Sequence, residues 1–442
     1  MRVALDAMGG DLAPKATVEG AVRAARDFGA EVVLVGDREV LKQELAQYGR
    51  AGLKLSVEHA DEVVAMDESP LESVLAKPNS SIHVGFELVR RREVAAFVSA
   101  GNSGAVMAAG MAILGTLTGV DRPAIASLVP TAGGLALLVD AGANTEVKPL
   151  NLAQFTLLGA AYCRRVRQIA KPRVGILSNG EEPSKGNELT RAAAALVAQF
   201  DRAGFSYIGY VEGRDINHGK ADVVVTDGFT GNVVLKTMEG FAGFLQANLR
   251  EVFSSSAAGR LAYLLVRRRL RLMRTKVDPS EYGGAPLLGL NGVAIVAHGA
   301  STGWAIRNAI RACSPEAVQQ ANADVVELLS RRPSLTVPAK AGGKGLKGIL
   351  GRVRERLHRH ARDSRDGKEP HATPAHPQSG VNADHSAASA EHDQTKTGAA
   401  APEGSAAQPN GRSTAGERSG SGAERKRSAG RSEPSAAPER EH

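Results

Sequence analysis

Six short apolar runs in this chain each end in a polar, glycine-bearing turn and lead into residues at helical spacing. The turns begin at Asp6, Ser99, Asp140, Ser178, Asp227 and His298. A strand that closes in such a turn and restarts as a helix is the unit of a mainly parallel sheet covered by helices on both faces. The expected fold is therefore an α/β, three-layer sandwich. In open sheets of this kind, sites form at the carboxyl ends of the strands, so the turns are where chemistry is expected.

Residues 221–239 show the unit in full. Val223, Val224 and Val225 read as a buried strand. Asp227-Gly-Phe-Thr-Gly231 reads as a tight polar turn. From Asn232 the apolar residues Leu235, Met238, Ala242, Leu245, Leu249 and Val252 recur at helical spacing. Such a junction aims unpaired N–H groups and the positive end of a helix dipole at one spot, which suits an anion. Ser99-Ala-Gly-Asn-Ser-Gly104 repeats the construction after Phe97 and Val98. Aligning Gly101 with Gly228, Ser103 with Thr230 and Gly104 with Gly231 gives Gly-x-Ser/Thr-Gly twice. One glycine turn is ordinary structure; a matched pair points to an anionic group held between them.

Further strands are expected at Val3–Leu5, Val32–Val35, Leu53–Val57, Ile125–Val129, Leu135–Val139, Val174–Leu177, Tyr207–Val211 and Val293–Val296. Asp6 and Asp11 flank the first glycine turn, where Asp11 either faces a site or caps the helix Lys15–Phe28. Asp140-Ala-Gly-Ala-Asn144 closes another strand. The turn from Ser178 to Asn187 carries Lys185, which either neutralises phosphate or a developing oxyanion or is an exposed loop lysine. His298 is either a general acid or base or a histidine bonded to backbone. Tyr282–Gly292 reads as a glycine-rich connection.

Several classes are excluded. No Gly-x-Gly-x-x-Gly opens the first unit, no lysine follows a Gly-x-x-x-x-Gly, and there is no serine elbow or paired metal-ligand spacing. One Trp and 4% aromatics argue against a base-stacking nucleic-acid surface. Cys163 and Cys313 read as inert core thiols in a reducing, cytoplasmic setting. No signal peptide is expected, and no apolar stretch is long enough to span a bilayer. After about Val337 the chain turns to small, polar and charged residues, which reads as a disordered tail over 337–442. Residues 340–442 hold 18 Lys and Arg against 13 Asp and Glu, and seven of the eleven His. The tail thus carries most of the net charge of +8, and residues 1–336, the expected catalytic domain, are close to neutral.

Ser254–Gly259 breaks the helix that begins at Asn232. A second helix then carries Leu261, Leu264, Leu265, Leu270, Leu272 and Met273 among Arg267, Arg268, Arg269, Arg271 and Arg274. The resulting hairpin, 232–276, is amphipathic and basic. It suits an anionic membrane, where each basic residue adds roughly 1 kcal/mol. It equally suits an acidic protein, a second copy of itself, or a merely solvated basic face.

A site built of anion cradles suits phosphate as a reactant, and with phosphate as nucleophile no protein nucleophile is needed. The segments Ala4–Asp11, Ser99–Gly104, Asp140–Asn144, Lys185–Asn187, 221–239 and His298-Gly299 together resemble the bacterial phosphate acyltransferases (the PlsX family) that open glycerophospholipid synthesis. The resemblance runs from residue 1 to about 330. It implies attack of inorganic phosphate on the thioester of a long-chain acyl carrier protein, the acyl phosphate then passing to a membrane glycerol-3-phosphate acyltransferase. It also implies a homodimer at the inner face of the cell membrane, with a fold similar to phosphotransacetylases and isocitrate-type dehydrogenases. Neither metal nor nucleotide takes part.

Carried onto this chain, the resemblance makes Lys185 and Asn232 the catalytic candidates. It makes Asp6, Gly101, Asn102, Ser103, Gly104, Asn144, Asn187, Asp227, Thr230, Gly231 and His298 the substrate-binding candidates. Arg267, Arg268, Arg269, Arg271 and Arg274 become the membrane or partner contacts. Several relatives carry His after Gly-Gly-Asp where this chain has Leu12, so position 12 receives no role. Two rival readings are a short-chain acyl-CoA phosphotransacetylase and a non-enzymatic scaffold at a membrane surface.

Overall fold

The computed structural model describes residues 1–49, 51–200 and 204–336, with backbone alone at 272, 274, 277 and 279. The expected tail at 337–442 lies outside the described residues. Among these, eleven strands form one sheet: β1 (Arg2–Asp6), β2 (Glu31–Gly36), β3 (Leu55–His59), β4 (Ala96–Ser99), β5 (Ala124–Thr131), β6 (Gly134–Val139), β7 (Arg173–Leu177), β8 (Ser206–Val211), β9 (Val223–Val225), β10 (Ala285–Leu288) and β11 (Ala294–Val296). Their spatial order is β3-β2-β1-β4-β11-β10-β5-β6-β9-β7-β8.

The helices are α1 (Lys15–Phe28), α2 (Arg38–Ala46), α3 (Pro70–Ala76), α4 (Ser81–Arg90), α5 (Ser103–Ile113), α6 (Pro149–Arg165), α7 (Glu188–Val197), α8 (Gly213–His218), α9 (Gly228–Ser254), α10 (Ala257–Val277), α11 (Gly303–Ala312) and α12 (Pro315–Ser330). Strand alternation sends their apolar residues to two faces. Val3 and Leu5 of β1 pack with α1 and α11, while Ala4 between them packs with α4 and α5. All three are fully buried, which is why such strands read as continuous apolar runs. In the other half of the sheet, α6 and α12 cover one face. The other face, with Leu138 and Val224, receives Val234, Leu235 and Met238 of α9.

The strand directions place the site. β11 runs with β1 to β4, and β6 runs with β9, β7 and β8. β10 opposes both β11 and β5, and β5 opposes β6. The two halves of the sheet therefore run in opposite directions. Register then decides where their ends fall. Val296, ending β11, pairs with Ala285; Leu287 pairs with Ile125; Ala126 pairs with Val139, which ends β6. The two strand ends lie level to within one residue, roughly 3 Å. Opposed half-sheets meeting in this way bring both sets of carboxyl-end turns to one place.

The mainly parallel sheet is as expected, apart from the antiparallel pairs at its centre. β3 begins at Leu55, not Leu53. β10 lies inside the stretch read as a glycine-rich connection. It is hidden because Gly283, Gly284 and Gly289 around it hold positive φ of 85°, 84° and 93°, and Pro286 sits within it. The segment 227–231 is not a turn before a helix. It is the cap and first turn of α9, with Asp227 Oδ1 accepting from Thr230 N at 2.8 Å. In α5 the cap is Asn102, accepting from Ala105 N at 3.1 Å. Matching the caps sets Asn102 against Asp227, so the aligned Gly-x-Ser/Thr-Gly motifs are two residues out of register. Similar letters there serve different backbone positions.

Candidate active site

Between the two half-sheets and the α9–α10 hairpin lies a cleft of about 1880 Å³. One wall presents Asp11, Ser103 and His298 from the exits of β1, β4 and β11. The other presents Gly142 and Asn232 from the exits of β6 and β9. Beyond these polar groups the lining turns mainly apolar, through Leu235, Met238, Phe241, Leu245, Leu249 and Phe253 of α9 and Leu264, Leu270 and Met273 of α10, with Arg250, Arg260, Arg267 and Arg271 among them.

Asn232 is placed by a chain of close contacts. Buried Asp140 accepts from the N–H groups of Ile125, Gly142, Ala143 and Asn144 and from Asn144 Nδ2, at 2.7–3.1 Å. Those bonds wind residues 140–144 into a tight loop, and the start of α9 rests on it. Gly228 N donates to Asn144 O at 2.7 Å. A Cβ on Gly228 would meet Asn144 O at 2.6 Å, and one on Gly231 would meet Asp140 O at 1.8 Å. Glycine is required at both positions for the helix to sit this close. Asn232 follows directly, its side chain against Gly142 and open to the cleft.

The other candidates divide by what holds them. Ser103, Asn232 and His298 are exposed and line the cleft. Asn102, Asp227 and Asn187 cap α5, α9 and α7, and Thr230 Oγ1 donates to Asp227 Oδ2 at 2.8 Å. Asn102 Nδ2 also donates to the carbonyls of Met66 and Glu68, tying the 65–68 loop to the site. Asp6 and Asn144 are buried. Asp6 accepts from Ser99 Oγ at 2.7 Å, and its burial raises its pKa above the usual carboxylate value against the pull of that bond. Burial likewise raises the pKa of Asp140. Gly101 and Gly104 pack against Asp6 and Pro70.

Lys185 is exposed on the loop after β7, beside β9 in the sheet, and is not among the cleft-lining residues. Its N–H donates to Glu182 O, and its aliphatic stem lies over Gly180. Asp11 does not cap α1, whose N-cap is Pro14; it lines the cleft instead.

On the hairpin, Arg267 and Arg271, one turn apart, face the cleft, whereas Arg268 and Arg269 are exposed and do not line it. The Arg274 side chain lies outside the described residues. Sequence reading missed Lys236, which lies one helical turn beyond Asn232 on the same face of α9. Its Nζ stands 2.9 Å from His298 Nε2 and 2.8 Å from Glu239 Oε2. The spacing from Asn232 was the signal that would have found it. Among the described residues one acidic trio, Glu181, Glu212 and Asp215, is close enough to share an ion, and Lys220 already pairs with two of its members. No helix among the described residues is long and apolar enough to cross a membrane.

The family model described as "Fatty acid synthesis protein" matches residues 1–325. The chain is 54% identical over 310 residues to the phosphate acyltransferase of Geobacter sulfurreducens, covering 70% of this chain and 89% of that one. It is 49% identical over 349 residues to the phosphate acyltransferase of Geotalea daltonii, covering 78% of this chain and all of that one. Among solved structures, a phosphotransacetylase from Streptococcus pyogenes is similar with a TM-score of 0.48 and 18% identity, over 72% of this chain and 94% of that one. By the extent of the family match and the identity to these relatives, the chain belongs to the phosphate acyltransferase family.

Proposed function

We propose that this chain transfers a long-chain acyl group from acyl carrier protein to inorganic phosphate. The observation that carries the reading is the continuity of the cleft. A polar end bearing Asn232, Ser103 and His298 runs into an apolar groove beneath α9 and α10. An acyl thioester has the same two parts, a polar reacting carbon and an apolar chain. A short acyl-CoA would leave the groove empty, which disfavours the short-chain phosphotransacetylase. A scaffold needs no polar end of this kind.

In the reaction, an oxygen of phosphate forms a bond to the thioester carbon, and negative charge gathers on the carbonyl oxygen. The C–S bond then breaks; sulfur leaves with the electron pair as the carrier's thiolate. The chain's contribution is to hold the reactants in line and to stabilise that oxyanion. Asn232, at the N-terminal turn of α9, supplies an amide donor for it. Lys185, on the loop from the strand beside β9, is the cation assigned to phosphate charge.

The hairpin supports a surface role. Phe241 and Phe244 are each 64% exposed and Leu265 is 81% exposed, amid Arg267, Arg268, Arg269 and Arg271. An apolar face rimmed by cations suits a second subunit and an anionic membrane, where a glycerol-3-phosphate acyltransferase would collect the acyl phosphate.

The test is release of free thiol from palmitoyl-carrier protein by the full chain, with and without phosphate, acyl phosphate being trapped by hydroxylamine. Phosphate-dependent release with a trapped hydroxamate is expected. Consumption of acetyl-CoA with no action on the palmitoyl carrier would move the reading to the short-chain enzyme, and inertness toward both would leave the scaffold.

A further inference from the structure

The contact between Lys236 and His298 is unsatisfied as it stands. His298 Nδ1 accepts the N–H of Ala300 at 3.1 Å. A neutral imidazole that accepts at Nδ1 carries its proton at Nε2. That N–H then points at Lys236 Nζ, 2.9 Å away, which has only donors to offer. The other tautomer lets Lys236 donate to Nε2 but sets an N–H at Nδ1 against the N–H of Ala300. Either way, one donor faces another. An acceptor oxygen between the two side chains removes the conflict: Nδ1 keeps the Ala300 bond, and Nε2–H and Nζ both donate to that oxygen.

The surroundings fit an anion. Both side chains are exposed and line the polar end of the cleft, and Lys236 follows Asn232 by one turn on the same face of α9. The carboxylates in reach are Glu239, paired with Lys236 at 2.8 Å, and Asp11, beside Gly299. Lys236 is well exposed, so its pair with Glu239 holds it only weakly. A dianion that offers several oxygens competes with it readily.

We propose that Lys236 and His298 bind inorganic phosphate, sharing one of its oxygens while another is left free to attack the thioester beside Asn232. The assignment rests on the phosphate acyltransfer reading and names the residues that take its nucleophile.

The test is the dependence of thiol release on phosphate and on acyl carrier for Lys236→Met, Lys236→Arg, His298→Phe and His298→Gln. Direct binding of inorganic phosphate to the acyl-free full-length protein is measured alongside, by ³¹P line broadening. Charge-assisted hydrogen bonds of this kind predict a rise of about 10- to 100-fold in KM for phosphate in Lys236→Met and His298→Phe. KM for the acyl carrier stays as in wild type, and phosphate broadening weakens in parallel. Lys236→Arg and His298→Gln, which keep a donor, recover much of the affinity. Lys42→Met, on α2 and outside the cleft, changes nothing. An unchanged phosphate KM in Lys236→Met, or an equal rise for both substrates, overturns the assignment while leaving the reaction intact. Wild-type protein that binds phosphate through these residues yet releases no thiol keeps the site and overturns the reaction. Wild-type protein that binds no phosphate overturns the site.

Discussion

Replacing Gly231 by alanine puts a methyl group where the fold leaves no room. The new Cβ would lie 1.8 Å from Asp140 O, whereas real Cβ contacts essentially never fall below 3.0 Å. The two groups must therefore separate by about 1.2 Å. The loop is the stiffer partner, because the Asp140 carboxylate binds it through four of its own donors and ties it to β5 through a fifth, Ile125 N. The first turn of α9 has to retreat, and Asn232 moves with it. A misplacement near 1 Å costs a reacting group ~100-fold in rate. Overpacking of this kind costs about 1–3 kcal/mol in stability. The assay is the initial rate of phosphate-dependent thiol release, beside a thermal melt. Gly240→Ala is the control on the same helix, since nothing lies within 4 Å of its added Cβ. There, alanine should leave the rate alone and, by helix propensity, add up to ~1 kcal/mol. Wild-type rate and melting temperature in Gly231→Ala would refute the reasoning. An equal loss in Gly240→Ala would trace the effect to alanine on α9 in general.

Asn232→Ala and Lys185→Ala should each lose ~100- to 1,000-fold in turnover with unchanged melting temperature, since both side chains are exposed; near-normal turnover in a folded variant would remove that residue from the mechanism. His83 is buried, and desolvation lowers its pKa from 6.5 to about 4. The unfolded chain therefore takes up a proton below pH 6.5 that the folded chain refuses until about pH 4, so stability is present above pH 6.5 and lost as pH falls through that window. Between pH 7 and pH 5 the loss is about 2 kcal/mol; urea midpoints of wild type and His83→Leu at the two pH values should differ by that contribution, and parallel shifts would refute it. Burial pushes the Cys163 and Cys313 thiols up to about 12, so iodoacetamide should label the chain at pH 8 only after unfolding. Reversing Arg268 and Arg271 to Glu should release the protein from anionic vesicles in sedimentation; equal pelleting would count against a lipid-facing hairpin.

The strands were legible wherever burial on both faces left an uninterrupted apolar run, as in Val3–Leu5 and Val223–Val225. β10 was not, because it is four residues long and two of the positive-φ glycines stand immediately before it. The turn residues of the site were legible as residue types, but the types did not reveal their tasks. Asn102, Asp227 and Asn187 have the short polar side chains of a binding site, and the same chemistry makes them helix caps. Ser103 and Asn232 look no different in sequence, yet each lies just past a cap or within the first turns, where the side chain stays free. Lys236 could be reached from its spacing to Asn232, but its contact with His298 could not, because the fold alone brings β11 and α9 together. That the half-sheets run in opposite directions was equally invisible, since it depends on β10.

β10 meets β11 through Ala285 and Pro286 and meets β5 through Leu287 and Leu288, and Pro286 has no N–H to give. Across that narrow join stand Ser103 and His298 on one bank, Gly142 and Asn232 on the other. Chemistry that draws on both banks runs at a single gap width, and within the sheet the strands that set it are β10 and β5, of which β10 is the short one. A reactant touching both sides is then a strut as well as a substrate: part of its binding energy goes into fixing the span. Packing at Pro286 and Leu287 then bears on anything that spans the two banks as directly as the side chains that line them.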